Sequence, residues 1–142
     1  MDEKHQGGCF CGKLRYETIG EPVRTAVCHC RYCQLRTGTA FGISVYFNAD
    51  QVTFNDAPFQ TYSYDTEGGN TGVLTRCANC GTNVSWQMSL EALKDTIGIA
   101  GGTFDPPPFG MRSREKFLPV QRLIFVRFHL HNHLKRVLFL SQ

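Results

Sequence analysis

The sequence predicts a mainly β fold with one short helix, organised around zinc, and three observations carry that prediction. Apolar and polar residues alternate in short runs between Gly, Asn, Asp and Pro, the pattern of half-buried strands. The seven cysteines fall into tight local clusters, which in a reducing compartment points to metal ligation; an odd count would also leave one thiol outside any set of disulfides. With 142 residues, 42% hydrophobic and 19% charged, the chain has the material for one core, and a domain of this size buries roughly 70% of its unfolded surface. Scattered core thiols are the plain alternative for cysteine, and the clustering argues against it.

The amino terminus, MDEKHQGG, lacks the basic region and apolar run of a secretory signal. No stretch approaches the roughly 20 apolar residues needed to span a bilayer. The chain is therefore expected to be cytoplasmic, with no membrane partner.

The strands follow in order. LRYETI places Leu14, Tyr16 and Thr18 on one side, and VRTAVC covers 23–28. TAFGISVYF at 39–47 puts Phe41, Ile43, Val45 and Phe47 on a single face. QVTF, FQTYSY, GVLTRC and TNVSWQM continue the series to Met88. The helix is expected in SLEALKD, where Ser89 can cap a turn or two containing Leu90 and Leu93. TIGIAGGTFD reads as a further strand, stopped by Pro106, Pro107 and Pro108, which cannot continue a ladder. No repeat, low-complexity tract or linker interrupts the chain.

Two units of one domain are expected: residues 1–110 as the zinc-binding part and residues 111–142 as its basic continuation. Residues 111–142 hold seven Lys and Arg against Glu115 alone, about +6, while 1–110 carry 8 − 11 = −3, together the net +3 of the chain. A basic tail can attract nucleic acid or another anionic surface; a solvated edge is the simpler reading, and nucleic acid is not expected as a partner. His129, His131 and His133 alternate along this tail and would share one face of a strand, but no fourth metal ligand accompanies them.

The cysteines lie in GGCFCG (Cys9, Cys11), CHCRYC (Cys28, Cys30, Cys33) and RCANCG (Cys77, Cys80). Structural zinc takes four tetrahedral ligands and catalytic zinc keeps a position open, so seven ligands suggest four plus three and two zinc ions per chain. CHCRYC supplies three sulfurs within six residues and can occupy one face of a metal from a single loop. The two remaining pairs, Cys9 with Cys11 and Cys77 with Cys80, would then close one site across 65 intervening residues. Gly12 and Gly81 follow those pairs, where positive φ lets backbone N–H groups approach the thiolates. The three-cysteine set favours a soft ligand such as a thiol, held ionised as a sulfur nucleophile. The alternative is closure by His29, an outside residue or a second subunit, which would make the second site structural.

The segments GGCFCGKLRY, CHCRYCQLRTG, TRCANCGTNV and IGIAGGTFD, spanning roughly residues 7–105, resemble the glutathione-dependent formaldehyde-activating enzyme family, which includes the centromere protein V group. The resemblance implies an Mss-four-like fold of coiled antiparallel sheets holding zinc. It implies structural zinc on Cys9, Cys11, Cys77 and Cys80, and catalytic zinc on Cys28, Cys30 and Cys33. It further implies a carbon–sulfur lyase acting on glutathione or a glutathione adduct, with chemistry of the S-hydroxymethylglutathione type. The expected partner is thus a small-molecule thiol or thiol adduct. Glutathione carries two carboxylates, and Arg31 and Arg36 beside the open cluster are candidate anchors for them; both are equally readable as solvated surface residues. After Pro108 the chain runs FGMRSREKFLPVQRLIFVRF with no Trp beyond Trp86, where the family commonly carries an F-x-R-S-R-like segment and a tryptophan strand. The competing class is a non-catalytic zinc module that binds a protein or nucleic-acid partner.

Overall fold

The computed structural model describes residues 3–105. The proline stop, the basic segment and the alternating histidines lie outside the described residues. Among the described residues, nine strands and one α-helix follow in the order β1 (Lys4–Gly8), β2 (Arg15–Ile19), β3 (Arg24–Cys28), α1 (Arg31–Thr37), β4 (Gly42–Asn48), β5 (Val52–Phe54), β6 (Phe59–Asp65), β7 (Thr71–Cys77), β8 (Asn83–Met88) and β9 (Thr96–Ala100). They form a three-stranded sheet, β1-β2-β5, and a six-stranded sheet, β3-β4-β9-β8-β7-β6. Every pairing is antiparallel.

Alternation sets what is buried. Leu14, Tyr16 and Thr18 all point into the core, as do Val45 and Phe47 of β4, and Val84 and Ile99 complete its centre. Phe41, at the start of the expected β4 face, stays partly in water. Tyr16 meets Phe104 edge-on at 5.3 Å between ring centroids, and its hydroxyl pairs with Thr103 Oγ1 at 3.0 Å. That ring needs a glycine opposite: a Cβ on Gly7 would lie 2.2 Å from the Tyr16 hydroxyl, and Gly7 is its register partner.

The helix is not where the sequence places it. Residues 91–95 of SLEALKD form turns, with the Leu93 N–H donating to the Leu90 carbonyl at 2.8 Å. Ser89 Oγ accepts from the Thr71 N–H at 2.8 Å instead of capping a helix. The α-helix is RYCQLRT, which begins within the expected cysteine loop and runs past it. Cys30 precedes it in extended conformation, and Gly38 ends it at φ 69°, its N–H donating to the Gln34 carbonyl, the left-handed stop that glycine tolerates. None of its residues is fully buried, so no apolar stripe marks it in the sequence. β1 is likewise an addition: KHQGG has no apolar alternation and is held by its ladder to β2.

Candidate metal centres

The first cluster joins the two sheets' loops. Cys9 and Cys11 sit in the turn between β1 and β2; Cys77 ends β7, and Cys80 lies in the turn to β8. The two turns are built alike. In each, a glycine at positive φ follows the second cysteine, Gly12 at 77° and Gly81 at 74°, and its N–H donates to the carbonyl of the first cysteine at 3.0 and 2.9 Å. Each first sulfur also accepts a backbone N–H: Leu14 to Cys9 Sγ at 3.3 Å, Asn79 to Cys77 Sγ at 3.4 Å. The turns are tied to one another by the Phe10 N–H to Thr82 Oγ1 at 3.2 Å and by Lys13 Nζ to Asn79 Oδ1 at 2.9 Å.

All four sulfurs lie within 4.8 Å of one another, with Cys9–Cys11 at 3.5 Å and Cys11–Cys77 at 3.8 Å. Tetrahedral zinc at its usual bond length to sulfur spaces its ligands about 3.8 Å apart, so this donor set fits zinc. Polar neighbours favour its ionised form. The Thr82 hydroxyl, aided by the Thr82 N–H, brings Cys80 down to about 5, and the Cys80 N–H lowers Cys77. Burial instead raises Cys9, the deepest sulfur beside Cys77.

The second cluster is Cys28, Cys30 and Cys33, whose sulfurs also lie within 4.8 Å of one another. Cys28 closes β3, Cys30 is the extended residue that precedes α1, and Cys33 lies in its first turn, so the strand end and the helix start bring the three sulfurs together. Among the described residues no fourth ligand joins them. His29 turns away and lies against Phe41, 5.6 Å between ring centroids. Burial pushes the Cys33 thiol up to about 11. Burial acts the same way on Cys30, but the Cys33 N–H and the neighbouring thiols outweigh it and leave Cys30 below the ordinary range.

The two candidate arginines separate here. Arg31 is exposed at the start of α1. Arg36 is fixed beside the sulfurs: its Nη2 donates to Cys33 Sγ at 3.5 Å, and its guanidinium lies 3.4 Å from the Trp86 ring centroid, a cation–π contact. Its carbonyl accepts from Asn83 Nδ2 at 2.9 Å.

Sequence reasoning missed the residues that make room for this arrangement. A Cβ on Gly42 would come within 2.8 Å of Arg36 Nη2 and 3.3 Å of Cys33 Cβ. Gly98, opposite Trp86 in the register of β8 and β9, leaves space for the indole, since a Cβ there would lie 2.4 Å from Trp86 Nε1. A lone tryptophan and a glycine within alternating strands were the available signals. Arg36 also lines a cavity of about 440 Å³ together with Tyr32, Tyr62 and Tyr64, within the range that small molecules occupy.

The family model described as glutathione-dependent formaldehyde-activating enzyme matches residues 4–126, reaching past the segment that carries the sequence resemblance. A crystal structure of a Rhodobacter sphaeroides protein is similar in fold, with a TM-score of 0.55 at 17% identity, covering 71% of this chain and 88% of that one. No curated protein matches the chain.

Proposed function

The chain belongs to the glutathione-dependent formaldehyde-activating enzyme family, and from that premise we propose that it is a zinc-dependent carbon–sulfur lyase acting on glutathione or a glutathione adduct. The observation that carries the reading is the contrast between the two cysteine sets. One is complete with four sulfurs tied across two turns, and the other offers three sulfurs beside a fixed arginine and a cavity.

We assign Cys9, Cys11, Cys77 and Cys80 to structural zinc and Cys28, Cys30 and Cys33 to catalytic zinc. At the open set the metal supplies a Lewis acid and a position at which a thiol is held ionised. The chain's own residues do the rest. Arg36 offers a planar donor fork suited to a carboxylate of the substrate, and its stacking on Trp86 spares the cost of ordering a free side chain on binding. Its positive charge also offsets that of the neighbouring thiolates. Arg31, one residue after Cys30, can reach a second carboxylate from the exposed side.

The substrate in this reading is a small-molecule thiol or its adduct, and the reaction makes or breaks a bond between that sulfur and carbon, as in formation of S-hydroxymethylglutathione. We place it in the cytoplasm, where thiols stay reduced; no helix among the described residues is long and apolar enough to cross a membrane. A non-catalytic zinc module would have no need of an incomplete cysteine set beside an arginine that lines a cavity.

Cys30→Ser tests the assignment. Turnover of S-hydroxymethylglutathione, followed by formaldehyde release, is expected to disappear while the circular dichroism spectrum and unfolding midpoint stay close to those of the parent. Retained turnover overturns the reading.

A further inference from the structure

The cavity that Arg36 lines has a composition that the three cysteines do not explain. Three of its walls are tyrosine rings set nearly parallel in series: Tyr62 to Tyr64 at 6.4 Å and 16°, and Tyr64 to Tyr32 at 5.6 Å and 23°. Two of them are locked. The Tyr32 hydroxyl accepts the Glu67 N–H at 2.9 Å. Tyr64 lies over Gly72, where a Cβ would come within 2.4 Å of its ring, and its hydroxyl donates to Met88 Sδ at 3.7 Å. The third ring is open, with Tyr62 59% exposed and Leu35 of α1 beside the cavity 64% exposed. Aromatic rings whose role is packing bury their area in a core, whereas this series ends in water.

The charge of the cavity is also uneven. Arg36 and Arg76 line it against Asp65 alone, and Asp65 already accepts from Thr71 Oγ1 at 2.9 Å. Arg36 belongs to both places, since the side chain that lines the cavity donates to Cys33 Sγ. Arg36 thus stands between a sulfur held at the open cysteine set and the tyrosine shelf.

We propose that this shelf is the compartment for the organic group carried on the thiol, and that the group is flat: aromatic or conjugated, on a scaffold bearing carboxylates. The inference rests on the glutathione reading above and adds the substrate class that the reading leaves open. Stacking on tyrosine favours planar groups through both area and ring electrostatics, so the preference is for S-arylmethyl or conjugated adducts over S-alkyl ones of one carbon.

Calorimetric titration of the zinc-loaded full-length chain with glutathione, S-methylglutathione and S-benzylglutathione tests it. The benzyl compound is expected to bind about tenfold more tightly than the methyl compound. Tyr62→Leu, at an exposed position where the fold does not depend on the ring, is expected to bring the two within about twofold of each other, with glutathione itself unaffected; Tyr64→Leu should do the same. If glutathione binds but the benzyl and methyl compounds bind alike, the shelf is wrong and the thiol site stands. A benzyl preference that survives both tyrosine substitutions also overturns the shelf. If none of the three compounds binds, the glutathione reading falls and the shelf with it.

Discussion

Single side chains here matter through what fixes them. Arg36 is one of two arginines that flank the open cysteine set in sequence, and only the structure separates them, by seating its guanidinium on Trp86 and beside Cys33. Spacing alone cannot do so, because the discriminating partner lies 50 residues away in sequence, in β8. The cysteines themselves were legible, because ligand type and clustering are local properties of the chain. Tyr16 shows the same dependence on surroundings in its ionisation. It is buried against Phe104, and burial holds its phenol well above the ordinary 10.0. The unfolded chain loses this proton near its ordinary pKa while the folded chain keeps it, so the folded state binds more protons there and stability falls as pH rises above about 10. Tyr16→Phe is expected to flatten that alkaline decline in urea unfolding measured across pH, at a cost of about 1 kcal/mol at neutral pH for the lost hydrogen bond to Thr103. Thr103 Oγ1 remains satisfied by its bond to the Ala100 carbonyl, 2.7 Å, which keeps that cost small.

Elements supply the open cluster's geometry. The end of β3 holds Cys28 and the first turn of α1 holds Cys33, with Cys30 in the short connection between them, so two of the three sulfurs rest on regular backbone. The strands were readable because half-buried sheets write a period of two into the sequence, as β2 and β4 do. α1 was not, because a seven-residue helix with no buried side chain has no apolar stripe, and the capping glycine alone does not announce it. SLEALKD offered a better helical pattern but lies between β8 and β9, where Ser89 is drawn to the Thr71 N–H and the chain needs only turns. From β9, Gly98 admits Trp86, which carries Arg36, which meets Cys33. Gly98→Ala should therefore cost about 1–3 kcal/mol by overpacking and also weaken glutathione binding severalfold, with zinc content unchanged. Titration calorimetry beside metal analysis checks both, and unaltered affinity in a destabilised variant would break the link from β9 to the arginine.

At the scale of the whole molecule, the four-cysteine set ties the β1–β2 turn of the small sheet to the β7–β8 turn of the large one. That connection was visible in the sequence as two cysteine pairs, each followed by glycine and flanked by expected strands, and what remained hidden was β1 and the division of those strands between two sheets. Cys9 and Cys77 are also core residues packed with Leu14, Val84 and Phe104, so metal and core stabilise the same region. Structural zinc contributes on the order of 10–16 kcal/mol in small domains, comparable with a domain's entire stability. Cys77→Ser is accordingly expected to abolish cooperative thermal unfolding in calorimetry, in contrast to Cys30→Ser, and a Cys77 variant that melts normally would contradict the structural role. Unequal sites with separate duties are the centre of the account, and native mass spectrometry of the purified chain measures them directly. Two zinc ions per chain are expected, falling to one in Cys30→Ser with the fold kept; one zinc or none in the parent protein refutes the division into unequal sites.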